Sequence, residues 1–259
     1  MDDVFGIEAE VRWVMLHFVR LLAAISLLPA FGSGAASRFS KIGISVYLAV
    51  LVAFAHGKES WSDPGFEVGP LAIAVGGEAL CGFMLGWVSR FWLEVCRLAG
   101  GLISQEMGLN LANQIDPISG QPVPLMGYLY EVLGVILFFA MHAHHSLIGA
   151  LVRSFQGMPP GRFALDERLA ASLAGFGGGV IESAIRLAAP VFAALVLLSV
   201  MIGLLSKVAP QWHILDTSYP IRAGGGLFLV FVSLPFVRPL IERVFEMTNG
   251  RLLQACGAG

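Results

Sequence analysis

Charge is what this chain has least of. Asp, Glu, Lys and Arg make up 13% of its 259 residues, about half the share of roughly 25% usual in soluble domains. That shortage excludes a globule covered in water by its own polar surface and points to burial in lipid or in other protein. Sixteen basic side chains against 18 acidic ones leave a net charge of -2, so no basic field for nucleic acid and no acidic tail is present. Cysteine is scarce as well. Cys81, Cys96 and Cys256 are odd in number and lack a CxxC spacing, which disfavours a disulfide framework or a zinc knuckle and leaves them as apolar filler. Catalytic signatures are missing too. No GxxxxGK[ST], HExxH, GxSxG or paired-carboxylate pattern occurs, so the sequence offers no nucleotide site and no catalytic residues, and no cofactor is expected. The start, MDDVFGIEAEVRW, is acidic where a cleavable signal peptide is basic. Membrane entry is expected to use the apolar segments themselves.

Those segments dominate what is there. The chain is 56% hydrophobic, with a mean hydropathy of +0.77. Six apolar runs stand out, at residues 13–36, 42–55, 68–88, 125–152, 169–205 and 223–237. Stretches such as VILFFAMHA do not alternate as barrel strands do, so the fold class is all-α, an integral-membrane set of helical hairpins forming a single domain over residues 1–259. The runs are uneven. Residues 42–55 are short for a crossing of about 20 residues, and residues 169–205 are too long for one span, with Pro190 expected to divide them. Arg20 interrupts the first run, and four further charged residues sit inside later ones: Glu78, Glu131, Glu182 and Arg186. Each costs roughly 2.5–3.5 kcal/mol in lipid, so all four are expected to face protein or water. Glu182 and Arg186, four apart, share a helix face and are expected to form an internal ion pair within a helical hairpin; a role in transport is the other reading.

Glycine is abundant, with 31 residues, and clusters in GFGGG at 175–179 and GGG at 224–226. Close helix packing is the expected use, with hinges as the alternative. His142, His144 and His145 invite a metal reading, but along a continuous helix these positions diverge, and a polar helix terminus with no metal is expected. A metal or solute transporter is the rival from another functional class. The least ordinary stretch is GLISQEMGLNLANQIDPISGQPVP, from Gly101 to Pro124. Its glycines and prolines, from Gly108 onward, prevent a continuous helix, and its amides stand beside Met107, Leu109, Leu111 and Ile115. Irregular backbone at membrane depth is tolerated only where it lines a cavity or is buried in protein, and an apolar ring of this kind suits a closed constriction. A plain connector is the alternative.

The segment EALCGFMLGWVSRFWLEVCRLAGGLISQEMGLNLANQIDP resembles the flagellar export-gate family FliR, whose injectisome relatives are the SctT proteins. The shared pattern is a GxxxG pair (Gly82, Gly86), then Arg97, Ala99 and Gly100, then Met107–Gly108, ending in Asp116–Pro117. Further along, AHHSLIGALVRSFQGMPPG places His144 on a family histidine, GLLSKVAPQ supplies Lys207, Pro210 and Gln211, and Pro220 comes after them. The Asp116-to-Gly120 form looks more flagellar than injectisome. Where the family carries large aromatics within the tract, this chain has Leu111 and Gln114. The resemblance implies a non-enzymatic conduit subunit of the bacterial inner membrane and flagellar basal body, assembled with FliP and FliQ homologues and an FlhB homologue. Unfolded flagellar proteins would pass through it. It also implies that the tract after Arg97 (Met107, Gly108, Leu109, Leu111, Gln114, Ile115, Asp116, Pro117) plugs the lumen. An injectisome export-gate subunit is the alternative.

Overall fold

Seven helices and no strand make up the residues that the computed structural model describes, which are 2–28, 37–55, 65, 67–109, 124–161, 167–208 and 214–255. In chain order they are α1 (Asp2–Leu27), α2 (Arg38–Ala55), α3 (Val68–Glu106), α4 (Leu125–Ala140), α5 (Ala143–Gly157), α6 (Glu167–Val208) and α7 (Ile214–Ala255). Among the described residues, four stretches are long and apolar enough to cross a membrane: Arg38–Ala55, Val68–Glu106, Gly177–Val208 and Ser218–Thr248. α4 and α5 taken together would supply a fifth.

Three expectations from the sequence change here. The run 42–55 is part of an 18-residue helix, which brings it into the range of about 17–25 residues that spans need. The run that hydropathy closes at residue 88 continues as helix to Glu106, 39 residues in all; Arg90, Glu94 and Arg97 interrupt the apolarity but not the backbone, because long charged side chains are good helix formers. Pro190 does not divide α6, and α7 likewise runs through Pro220, Pro235 and Pro239. A proline removes one helical hydrogen bond, and packed neighbours and local adjustment can absorb that loss in apolar helices.

Contacts gather the chain into two compact units. The first holds Met1–Phe91, His142–Phe176 and Glu246–Gly259, the second Trp92–Met141 and Gly177–Phe245. In the first, α1 presents Trp13, Leu16, His17, Arg20, Leu21, Ala24 and Ile25 as one buried stripe, the i, i+3, i+4 spacing of an amphipathic helix. α2 answers with Ser45, Ala49, Val52 and Ala53, and the Trp13 indole Nε1 donates to the Ala53 carbonyl at 3.1 Å. α5 adds Ala143, Leu147, Ala150, Leu151, Ser154 and Phe155 at the same period. In the second unit, Trp92 of α3 stacks on Phe138 of α4 with centroids 5.1 Å apart, and Phe245 of α7 meets both rings edge-on.

Candidate functional site

The most polar feature of the first unit lies at its centre. Arg20 of α1 and Glu78 of α3 are both fully buried. The guanidinium grips the carboxylate with two bonds, Nε to Oε2 at 2.6 Å and Nη2 to Oε1 at 3.0 Å. Its other donors reach the Ser154 carbonyl at 3.1 Å and the Met158 carbonyl at 2.9 Å. Phe155 covers the group, 4.3 Å from ring centroid to Cζ. Oε1 of Glu78 also accepts from the backbone N–H of Gly161 at 3.1 Å. Bidentate geometry and saturated donors are what a buried ion pair requires to offset desolvation. Beside it, His17 stacks on Phe155 at 4.4 Å, and its Nδ1 lies 2.8 Å from the Trp13 carbonyl. A carbonyl only accepts, so Nδ1 carries the proton.

This arrangement explains two sequence blocks. QGMPPG after α5 is the turn that brings the Met158 carbonyl and the Gly161 N–H to the pair; Gly161 adopts φ 82°, which glycine takes without steric cost. Gly82 and Gly86 are where α3 meets the α1 backbone. A methyl group on Gly82 would collide with the Arg20 carbonyl oxygen, and one on Gly86 would stand 2.6 Å from the Ala24 carbonyl oxygen. The GxxxG pair is therefore a backbone crossing that sets Glu78 one turn from Gly82, opposite Arg20.

A second crossing, α3 with α4, accounts for the Arg97-to-Gly100 block. Arg97 bonds Glu131 through Nε at 3.2 Å and Nη2 at 3.1 Å, with Glu94 3.8 Å away. Ala99 is fully buried. A Cβ on Gly100 would run into the Met126 carbonyl, while across the same crossing Gly127 and Gly134 accept the Arg97 carbonyl and the Cys96 thiol at close range. Glu131, one of the four ionisable residues expected to need a polar neighbour, has one.

α3 takes in the first six residues of the Gly101–Pro124 stretch and ends at Glu106, and the stop is a Schellman turn. Leu109 N–H reaches the Ser104 carbonyl, Gly108 N–H reaches the Gln105 carbonyl, and Gly108 is left-handed at φ 75°. Met107 is buried, and its side chain fills the space left by Gly226 of α7: a Cβ there would come within 2.5 Å of the Met107 Cγ. Gly108 packs against the Tyr219 ring. Met107, Gly108 and Leu109 thus form the anchored base of the tract. Leu111, Gln114, Ile115, Asp116 and Pro117 lie outside the described residues, as do Pro210 and Gln211.

The remaining positions are spread out. Glu182 and Arg186 do pair, Nη2 to Oε1 at 2.6 Å, but on an exposed face of α6, with side chains 64% and 71% exposed. Lys207 is exposed in the last turn of α6, and Pro220 is exposed within α7. The glycine clusters divide. Gly225 and Gly226 pack closely, whereas Gly175, Gly177 and Gly178 meet nothing within 4 Å, so close packing inside this chain is corrected for the GFGGG stretch. For the histidines the helix-terminus placement holds and the expected divergence is corrected. The chain leaves the helix between α4 and α5, where His142 is left-handed at φ 54°, and the three rings converge instead of diverging. Arg20 is the partner for Glu78 that sequence reasoning missed. The available signal was one buried charge of each sign in separate apolar runs.

The protein-family model described as "Bacterial export proteins, family 1" matches residues 11–248. The chain is 29% identical over 242 residues to the flagellar biosynthetic protein FliR of Escherichia coli K12, covering 92% of each chain. It is 30% identical over 239 residues to the FliR protein of Pectobacterium carotovorum, covering 91% of this chain and 90% of that one. The surface presentation of antigens protein SpaR of Salmonella typhimurium is 25% identical over 249 residues, covering 95% and 92%.

Proposed function

This chain belongs to the bacterial export proteins, family 1, and on that premise we propose that it is the FliR-type subunit of a flagellar type III export gate, part of the conduit for unfolded flagellar proteins. The reading makes it a multi-pass protein of the bacterial inner membrane, in the basal body, beside FliP, FliQ and FlhB homologues. It has a structural role and neither catalyses a reaction nor binds a cofactor for one. The observation that carries it is coverage: the match to a flagellar relative spans 92% of both chains, through both units. Deleting the gene is expected to abolish motility and flagellar filaments while leaving effector secretion intact. Loss of effector secretion with normal flagella would move the protein to the injectisome branch, which the likeness to SpaR keeps as the second reading.

Within that function, the tract beginning at Met107 is the plug. Its support is the anchored base: Met107 and Gly108 are held against Gly226 and Tyr219, so the rest of the tract starts from a fixed point. Apolar side chains in such a loop exclude water while the gate is closed. Removing residues 110–121, which spares the anchor, is expected to make cells permeable to small ions with the gate still assembled. Leu111→Gly is expected to loosen the seal and Gln114→Phe to tighten it. Unchanged conductance in all three, with assembly intact, would reduce the tract to a connector.

A further inference from the structure

The three histidines at the start of α5 form a cluster that the gate function leaves unused. His142 caps α5 from a left-handed conformation, and His144 and His145 stand in its first turn. Ring centroids lie 4.2 Å apart for His144 and His145, 5.6 Å for His142 and His145, and 6.0 Å for His142 and His144. One nitrogen from each ring lies within 4.8 Å of the other two. His142 and His145 are exposed on the surface of this chain and His144 is half-buried, so the cluster is open to an ion from outside the fold of the first unit.

We infer that His142, His144 and His145 form a binding site for a late divalent transition metal, of which Zn2+ is the representative ion. Three imidazoles around zinc at about 2.0–2.1 Å bring their nitrogens to about 3.4 Å from one another. Rotation of the two exposed side chains supplies the remaining closure. Three protein ligands leave a fourth position for water or for a group on an incoming chain. The donor set selects the ion: neutral imidazoles suit zinc, nickel and copper, while calcium and magnesium demand oxygen ligands that the cluster does not offer. The positive end of the α5 dipole opposes any cation here, which further disfavours ions held by charge alone. The break in the helix is what makes the site possible, because a continuous helix would send residue 142 to a different face from residue 144.

The test uses the assembled gate, purified without a polyhistidine tag, equilibrated with Zn2+ and freed of excess. One zinc per copy of this chain is expected by elemental analysis, with a rise in melting temperature that a chelator reverses. His142→Gly is the informative variant: glycine accepts the left-handed conformation without strain and removes the imidazole. His142→Gly and His145→Ala are each expected to weaken zinc binding by at least about tenfold, the lower bound known for losing even an outer-shell partner. Both are expected to melt at the wild-type temperature in the absence of metal. Wild-type gate that retains no zinc overturns the inference. So does zinc retention or zinc-dependent melting that survives when His142→Gly and His145→Ala are combined.

Discussion

Arg20→Ala is expected to remove most of the protein from the membrane. The substitution leaves Glu78 buried with no cation, removes the Arg20 donor from the Met158 carbonyl, and leaves the Ser154 carbonyl with the Met158 N–H alone. Breaking a buried pair from one side costs about 3–5 kcal/mol, against a total stability of about 5–15 kcal/mol for typical domains. Glu78→Ala is expected to do the same from the other side, with the loss of the Gly161 contact added. Arg20→Lys keeps the charge but lacks the planar fork that spans both carboxylate oxygens and the two carbonyls, so an intermediate loss is expected. Replacing both residues by methionine removes both charges and is expected to accumulate better than either alanine variant. Quantitative blotting of membranes, with melting of the co-expressed gate in detergent, reads all four. Wild-type levels and melting for Arg20→Ala would show that the pair does not hold the first unit together.

Gly82→Ala carries the second large effect, although it adds only a methyl group. That methyl group falls on the Arg20 carbonyl, a backbone atom with no rotamer to escape through. α1 and α3 must separate, and overpacking of this kind costs typically about 1–3 kcal/mol. The separation also pulls Arg20 from Glu78, so the cost adds to weakening of the pair and the two substitutions are expected to be non-additive. Gly86→Ala is expected to show the same effect with a smaller loss. Gly43→Ala is the control: nothing lies within 4 Å of the added Cβ, and a glycine-to-alanine change inside a helix is expected to be neutral or to stabilise by up to about 1 kcal/mol. Equal melting of the Gly82 and Gly43 variants would dismiss the crossing as the source of the motif.

The helical class and most of the helix positions were legible in the sequence, because hydropathy and the lack of alternation are local properties. Gly108 was legible as a stop, since glycine takes the left-handed turn that ends α3 without steric cost. The extension of α3 to Glu106 was not, because hydropathy reports what surrounds a helix and not where its hydrogen bonds end. Pro190 misled for the opposite reason, a strong local preference overridden by its surroundings. The partners of Glu78 and Glu131 lie 58 and 34 residues away, and no periodicity within one run can choose among distant candidates. The histidine cluster was hidden by a single backbone angle, since its spacing diverges only along an unbroken helix and the helix is broken at His142.

The apolar stretch Gly177–Val208 of α6 also works as a ruler. Its 32 residues extend about 48 Å at 1.5 Å each. Even tilted by about 40° it covers about 37 Å, more than the roughly 30 Å of bilayer hydrocarbon. With Lys207 at one membrane surface, the roughly 21 residues back to Leu187 fill that thickness, at about 32 Å. The other surface then falls beside Arg186. On that placement the exposed Glu182–Arg186 pair would sit at the waterline, with the turns before it clear of the lipid.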